Sequence, residues 1–257
     1  MNIVLIGSGN VATVLGRKSL AAGHRIVQVY SRNADHANVL ATRLGTTSTS
    51  YISSIERKAD LMIIALRDDA VSYLVREIGE VRSILVHTAG ALSINEVRGS
   101  NKSFGVLYPL QSLRKEIEIL PALSILLEGN NVNTTRQLKE FAFSIAASVT
   151  EADDESRLKY HLAATMVNNF TNHLYALAAS FCEKENISFA VLQPLIEETA
   201  IRLRNTTPQK VQTGPAIRND TVTIQKQRDL LKEYPDILNF YDLFTSEIQK
   251  SALSVTR

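Results

Sequence analysis

Several groups of residues in this chain have the types and spacing to do chemistry. The first is Gly7-Ser8-Gly9-Asn10-Val11-Ala12, which sets two glycines and an alanine in the order G-x-G-x-x-A directly after an apolar run. Gly7 would let a strand turn sharply, Gly9 would let backbone approach a pyrophosphate, and Ala12 would let the next helix pack close to the strand. A helix beginning there adds free N–H groups and partial positive charge that suit phosphates. The second group is Ser31-Arg32-Asn33, after a second apolar stretch. An Asp or Glu at this point would hold the ribose 2′-hydroxyl of NAD, whereas a guanidinium can grip a 2′-phosphate bidentately and stack on adenine. The residues therefore point to NADP, the alternative being that Arg32 is a solvated loop cation and Asp35 takes the ribose.

A third group follows helical spacing. His161, Thr165, Asn168 and Asn172 stand at i, i+4, i+7 and i+11, on one stripe of an ideal helix, while Asn169 and His173 fall further round. Their neighbours Leu162, Ala163, Ala164, Met166, Val167 and Phe170 are apolar, and a polar stripe in a buried helix needs partners, either protein groups or a ligand. His87 ends an apolar run and could give a proton to a carbonyl or imine, or could orient the Thr88-Ala89-Gly90 loop. Gln111 could bind substrate or a carboxamide, or could serve a turn. In Thr213-Gly214-Pro215-Ala216-Ile217-Arg218-Asn219-Asp220, an anion-binding loop around Arg218 and an Arg218–Asp220 ion pair are both open. Lys159 lies opposite the His161 stripe and reads as solvated surface. The single cysteine, Cys182, cannot form an intrachain disulfide or a cysteine-cluster metal site, and its apolar helical surroundings point to core packing.

The elements that must position these residues follow from periodicity. Strands are expected at His24 to Arg32, Thr49 to Ile52, Asp60 to Leu66, Ser83 to Thr88, Phe104 to Tyr108, Leu123 to Glu128 and Ser148 to Glu151. Helices are expected from Val11 to roughly Ala22, over 33–45, from Arg67 to Ile78 and from Thr134 to Ala146. Strand followed by helix, repeated, predicts a doubly wound α/β domain with a parallel sheet, whose ligands lie beyond the carboxyl ends of the strands. That edge would collect Gly7 to Ala12, Ser31-Arg32, Leu66-Arg67 and His87 to Gly90. After the acidic stretch Glu151 to Glu155 only helices are expected, about 156–184, 189–204, 220–233 and 236–252. The domain reading is thus 1–152 doubly wound and 153–257 all-α.

Composition excludes several classes. With 257 residues, 45% of them hydrophobic and 21% charged, the chain has the make-up of a soluble globular protein. A net charge of +2 with no basic cluster argues against nucleic acid. No apolar run reaches membrane-spanning length, and no signal peptide or metal-ligand cluster is apparent, so the expectation is a cytoplasmic protein without a metal.

GSGNVA, Ser31-Arg32, DLMIIAL, His87-Thr88-Ala89-Gly90, Tyr108-Pro109-Leu110-Gln111, Lys159-Tyr160-His161 with Asn168-Asn169, and TGPAIRND together resemble a bacterial family of Rossmann-like proteins carrying a helical C-terminal domain of unknown function. That family is grouped with pyrroline-5-carboxylate reductases, deazaflavin-dependent NADP oxidoreductases and the 6-phosphogluconate dehydrogenase superfamily, and the resemblance spans nearly the whole chain. It implies an NADP-binding Rossmann domain, an all-helical domain mediating homodimerisation, and an active-site cleft between them. Two departures stand out. Beta-hydroxyacid dehydrogenases of the superfamily carry Lys four residues before Asn on the equivalent helix, but Ala163 stands four after Lys159; and TGPAIRND does not match the substrate loop of pyrroline-5-carboxylate reductases. Neither the sugar acid nor the pyrroline substrate transfers. The expectation is an NADP-dependent oxidoreductase moving a hydride between NADP(H) and a small anionic carbonyl or imine. His161, Thr165, Asn168 and His87 are its candidate catalytic residues, and Gln111, Asn172 and Arg218 candidate substrate contacts. The alternatives are a non-catalytic NADP-binding protein and a purely structural dimer.

Overall fold

The structure is a computed structural model in which residues 1–255 are described. The carboxyl-terminal edge of the sheet is built by a run of strands and helices: β1 (Asn2–Ile6), α1 (Asn10–Ala21), β2 (Arg25–Tyr30), α2 (Ala34–Leu44), β3 (Thr47–Thr49), β4 (Leu61–Ile64), α3 (Asp68–Ile78), β5 (Ile84–His87) and β6 (Phe104–Pro109). β7 (Ser124–Gly129), α4 (Val132–Ile145), β8 (Ser148–Glu151) and α5 (Asp154–Ala164) follow. The strands form one eight-stranded sheet in the order β3-β2-β1-β4-β5-β6-β7-β8. Side chains alternate across it: Ile3, Leu5 and Ile63 enter one core with Leu15 of α1 and Phe141 of α4, and Val4, Ile6 and Met62 enter the other with Leu74 and Ile78 of α3. Burial on both faces explains why β1 and β4 read as continuous apolar runs.

The expected strands and helices of this half are present, with differences that have physical causes. β3 lies at Thr47–Thr49 rather than Thr49 to Ile52, because Gly45 ends α2 in the left-handed conformation at φ +63 and the chain drops at once into register with Gln28–Tyr30. The sheet is also not wholly parallel. β7 runs antiparallel to β6, which requires no crossover, and residues 110–123 accordingly carry no helix.

Contacts between Cα atoms separate the chain into two compact units, Met1–Phe170 and Thr171–Arg257. The division falls later than the acidic stretch at 151–155: α5 and the π turn Thr165–Phe170 that follows it group with the sheet. The second unit contains α6 (Thr171–Lys184), a 3-10 turn at Phe189–Leu192, α7 (Gln193–Arg202), α8 (Pro208–Val211), α9 (Thr221–Leu230) and α10 (Pro235–Val255), with no strand among the described residues. Pro194 falls in the first turn of α7, where its missing N–H costs nothing, and Asp220 caps α9 by accepting from Thr223 N–H at 3.0 Å. Cys182 is buried in α6. No helix among the described residues is long and apolar enough to cross a membrane.

Candidate functional site

The strand order reverses between β1 and β4, where doubly wound sheets bind their ligands. There the structure has a cleft of about 1150 Å³ whose floor is Gly7-Ser8-Gly9, flanked by Ser31-Arg32 on one side and Leu66-Arg67 on the other. Gly7 sits at φ +116 and donates its N–H to Tyr30 O at 2.8 Å; a Cβ there would lie 2.3 Å from the Ala65 carbonyl oxygen, so only glycine lets β1 turn against β4. Nothing lies within 4 Å of a Cβ built on Gly9, which leaves that face open to a ligand. α1 begins with neither a side-chain cap nor an acidic residue in its first turn, so its leading N–H groups keep their capacity for an anion. Ala12 is fully buried against the core, while Asn10 and Val11 lie at the helix mouth, Asn10 Oδ1 accepting from Lys115 N–H at 3.2 Å.

Ser8 Oγ donates to Ser31 Oγ at 3.0 Å and ties the glycine turn to the end of β2. Arg32 is exposed, lines the cleft and makes no ion pair among the described residues; Asp35 does not line it. Leu66 is half-buried, and Arg67 pairs with Asp69 at 3.2 Å at the exposed lip. Tyr51 and Tyr73 are 72% and 56% exposed and also face the cleft. Sequence reasoning missed both, because they stand far apart in the chain and converge only through the sheet.

The His87 to Gly90 loop behaves differently from the expectation. All of its residues are buried and none lines the cleft. His87 has 0% exposure, and its Nδ1 accepts from Ala89 N–H at 3.1 Å, which puts the ring proton on Nε2. Burial, reinforced by the Arg157 charge, pushes its pKa down to about 4. The Ser93 backbone draws the value upward, yet no acceptor meets hydrogen-bond geometry at Nε2. His87 is thus a buried, neutral imidazole hydrogen-bonded within its own loop, and it does not face the cleft. Thr88 ties the same loop to β4 through its N–H, 3.2 Å from Ile64 O.

Gly90 leads to the second cavity. A Cβ at Gly90 would stand 2.8 Å from His161 Nδ1 and 2.9 Å from Tyr108 Cζ, so the β5 loop, the end of β6 and α5 meet at one point. The adjoining pocket, about 530 Å³, is lined by Tyr108, Gln111, His161, Thr165, Asn168 and Asn169. Ideal helical geometry fails here, since Thr165–Phe170 is a π turn. Its wider winding brings Asn169 to the pocket beside Asn168, whereas Asn172 does not line it and belongs to the second unit. Thr165 Oγ1 donates to His161 O at 3.1 Å. Gln111 is engaged in its own turn, Oε1 accepting from Ser112 N–H at 2.9 Å. The apolar flank expected to be buried is exposed in the single chain: Leu162 by 61%, Met166 by 57%, Val167 by 75% and Phe170 by 57%.

Arg157, one turn before His161, holds this corner together. Its side chain is buried; Nη1 donates to Glu128 at 3.2 Å, and Nη2 donates to Asp154 at 2.5 Å and to the Leu92 carbonyl. Burial pushes the Asp154 carboxyl up, but hydrogen bonds from Ser93, Arg157 and the Ile94 N–H outweigh it and hold the group below its usual range. Glu128 moves the other way, raised by burial and by the Asp154 charge despite its bond to Arg157. Lys159 pairs with Glu155 on the exposed side, as expected of a solvated lysine.

In the second unit, Arg218 makes no direct ion pair with Asp220, whose carboxylate bonds Thr223 N–H and Oγ1 and is held below its usual range chiefly by those bonds. Gly214 at φ +107 and Asn219 at φ 52 bend the loop. Among the described residues no cluster of three or more His, Cys, Asp or Glu could hold a metal ion.

The comparisons agree with this architecture. The profile described as NADP oxidoreductase coenzyme F420-dependent matches residues 2–90, and the domain of unknown function DUF2520 matches residues 123–248. No curated protein matches the chain. Among solved structures, a protein of Bacteroides fragilis assigned as an NADP oxidoreductase is 38% identical, with 97% of this chain and 98% of that one covered and a TM-score of 0.88. A Thermotoga maritima protein is 20% identical over 99% of this chain and 100% of that one, at TM-score 0.75. Pyrroline-5-carboxylate reductase of Streptococcus pyogenes is 12% identical over 97% and 98%, at TM-score 0.68, and shares the fold. At 38% identity across nearly all of both chains, this protein belongs to the same family as the Bacteroides fragilis protein, a Rossmann domain of the NADP oxidoreductase type joined to a DUF2520 domain.

Proposed function

We propose that the chain is an NADP-dependent oxidoreductase that reduces, or in reverse oxidises, a small polar double bond, a carbonyl or an imine. The carrying observation is the cleft that joins an open Gly9 face and an uncapped helix N-terminus to an Arg32 with no ion pair among the described residues. Backbone at Gly7 to Ala12 would hold the pyrophosphate, Ser31 and Arg32 the 2′-phosphate, and Tyr51 or Tyr73 an adenine face. Bound NADPH would supply a hydride to the substrate carbon. The chain would supply orientation from Asn168 and Asn169, exclusion of water by the pocket walls, and a proton. Family membership supports the redox class, since the Bacteroides fragilis relative is assigned as an NADP oxidoreductase.

The cofactor assignment is tested by thermal shift. NADPH should raise the melting temperature more than NADH, and Arg32→Ala should abolish the difference by removing charge-assisted bonds worth about 1.5–3 kcal/mol, or roughly 10- to 150-fold in affinity. Equal shifts for the two cofactors in the wild type would overturn it.

The second unit supports a homodimer. Among its described residues only Cys182, Ala216 and Leu231 are buried, while Val191, Leu195, Phe240, Leu243 and Phe244 are exposed. So thin a core needs a further apolar partner surface. Light scattering should give about twice the 28.4 kDa chain mass; a monomer sinks the dimer.

A further inference from the structure

We propose that Tyr108 is the proton donor of the pocket beside β6, and that His161 is the positioning residue that orients and recharges it. This rests on the oxidoreductase reading above, because a polar double bond reduced by hydride needs one proton on its heteroatom.

The geometry singles out the pair. Tyr108 Oη lies 2.7 Å from His161 Nδ1, with the rings edge to face at 5.7 Å between centroids. Both are half-buried and both line the pocket. Gly90 backs them: the absent side chain is the space they occupy, at the carboxyl end of β5. The other polar groups of the pocket are unsuited to the task. The Thr165 hydroxyl is committed to the His161 carbonyl, the Ser112 hydroxyl has no imidazole hydrogen-bonded to it, and an asparagine or glutamine amide has no proton to give at neutral pH; His87, outside the pocket, is sealed away. Tyr160 also lines the pocket but has no imidazole hydrogen-bonded to it. Burial holds the Tyr108 phenol above its ordinary pKa, so it carries its proton at working pH.

The step balances with one proton from solvent. The Tyr108 O–H bond breaks and an N–H or O–H bond forms on the substrate heteroatom. The phenolate takes the proton on His161 Nδ1, and His161 Nε2 takes one from water. The two electrons and the hydrogen added at carbon come from NADPH.

The test compares Tyr108→Phe, His161→Ala and His161→Asn, the last placing an amide nitrogen near the position of Nδ1. NADPH binding is read by fluorescence enhancement, the His161 ring nitrogens by NMR, and turnover with 2-methyl-1-pyrroline, pyruvate and butanal. Tyr108→Phe should lower kcat by about 10²- to 10⁴-fold, as loss of a general acid does, with NADPH affinity unchanged and the His161 Nδ1 resonance displaced. His161→Ala should also lose rate, and His161→Asn should recover about tenfold of that loss. An Nδ1 resonance that Tyr108→Phe leaves in place overturns the pair, whether or not cofactor binds. A Tyr108→Phe protein that keeps the wild-type rate, or a wild type that binds NADPH yet oxidises it with none of the probes, overturns the donor role. Absence of NADPH binding in the wild type overturns the cofactor reading and the donor role with it, while the NMR result still reports on the hydrogen bond.

Discussion

Replacing His87 with asparagine should flatten the acid limb of the stability curve. The ring is fully buried with its Nε2 proton unpartnered, and its pKa stands at about 4 against 6.5 for an exposed imidazole. Because the folded state lowers the pKa of this base, the unfolded chain binds the extra proton between those two values. The neutral ring therefore costs nothing above pH 6.5, and stability drains away as the pH falls from 6.5 toward 4. Integrating that proton uptake gives a loss of about 2 kcal/mol between pH 7 and pH 5 from this residue alone. For a chain of this size it corresponds to roughly 4–8 °C in melting temperature. The chain has no tryptophan, so far-UV circular dichroism with urea at the two pH values is the appropriate assay. In His87→Asn the side-chain amide oxygen would still accept from Ala89 N–H, so the loop bond survives while the titration disappears. Other groups, His24 among them, titrate in both proteins and cancel in the comparison. If wild type and His87→Asn lose the same free energy between pH 7 and pH 5, the imidazole is not buried neutral, and the description of His87 as a sealed loop residue falls with it.

Two further perturbations probe the same corner and the cofactor turn. Gly7→Ala should combine left-handed strain at φ +116 with a contact 2.3 Å from the Ala65 carbonyl oxygen, costing about 1–3 kcal/mol for the strain alone and abolishing NADPH binding; retained binding at wild-type affinity refutes the turn's role. Arg157→Met should leave Glu128 and Asp154 unpaired, and because those carboxylates are 26% and 41% exposed the cost belongs near the low end of the range for a broken buried pair, about 3 kcal/mol. A melting temperature within about 2 °C of wild type would show that the triad is not structural.

The cofactor half was legible because its signals are local. Gly7, Gly9 and Ala12 act within one strand-turn-helix unit, and Ser31-Arg32 lies at the end of the next strand, so spacing alone predicts where they gather. Apolar continuity similarly announced β4 and β5, which are buried on both faces. The direction of β7 was not legible. Parallel and antiparallel strands share one residue pattern, and only the length of the 110–123 connection, with no helical period, carries a hint.

The chemical half depended on contacts between distant parts of the chain. His87 and His161 are both candidates in the sequence, and burial separates them: one is sealed with a depressed pKa, the other borders a cavity. The stripe itself assumed a uniform winding, and the π turn at Thr165–Phe170 bends that assumption by bringing Asn169 in and leaving Asn172 outside. Tyr108 stood in the sequence only within the Tyr108-Pro109-Leu110-Gln111 motif, because its contact with His161 forms only where β6 meets α5, 53 residues later, across a gap that Gly90 keeps clear. That glycine is the residue from which the pairing could have been suspected. It ends a loop whose residues do not line the cofactor cleft, and a missing side chain at the carboxyl end of a central strand leaves room for something else. Here the room is filled by a phenol and an imidazole in hydrogen-bond contact, an arrangement that a Gly90→Ala substitution would have to push apart. The absent Cβ at Gly90 is what leaves the phenol and the imidazole within hydrogen-bond distance at the edge of the pocket, the arrangement on which the proposed donor role of Tyr108 rests.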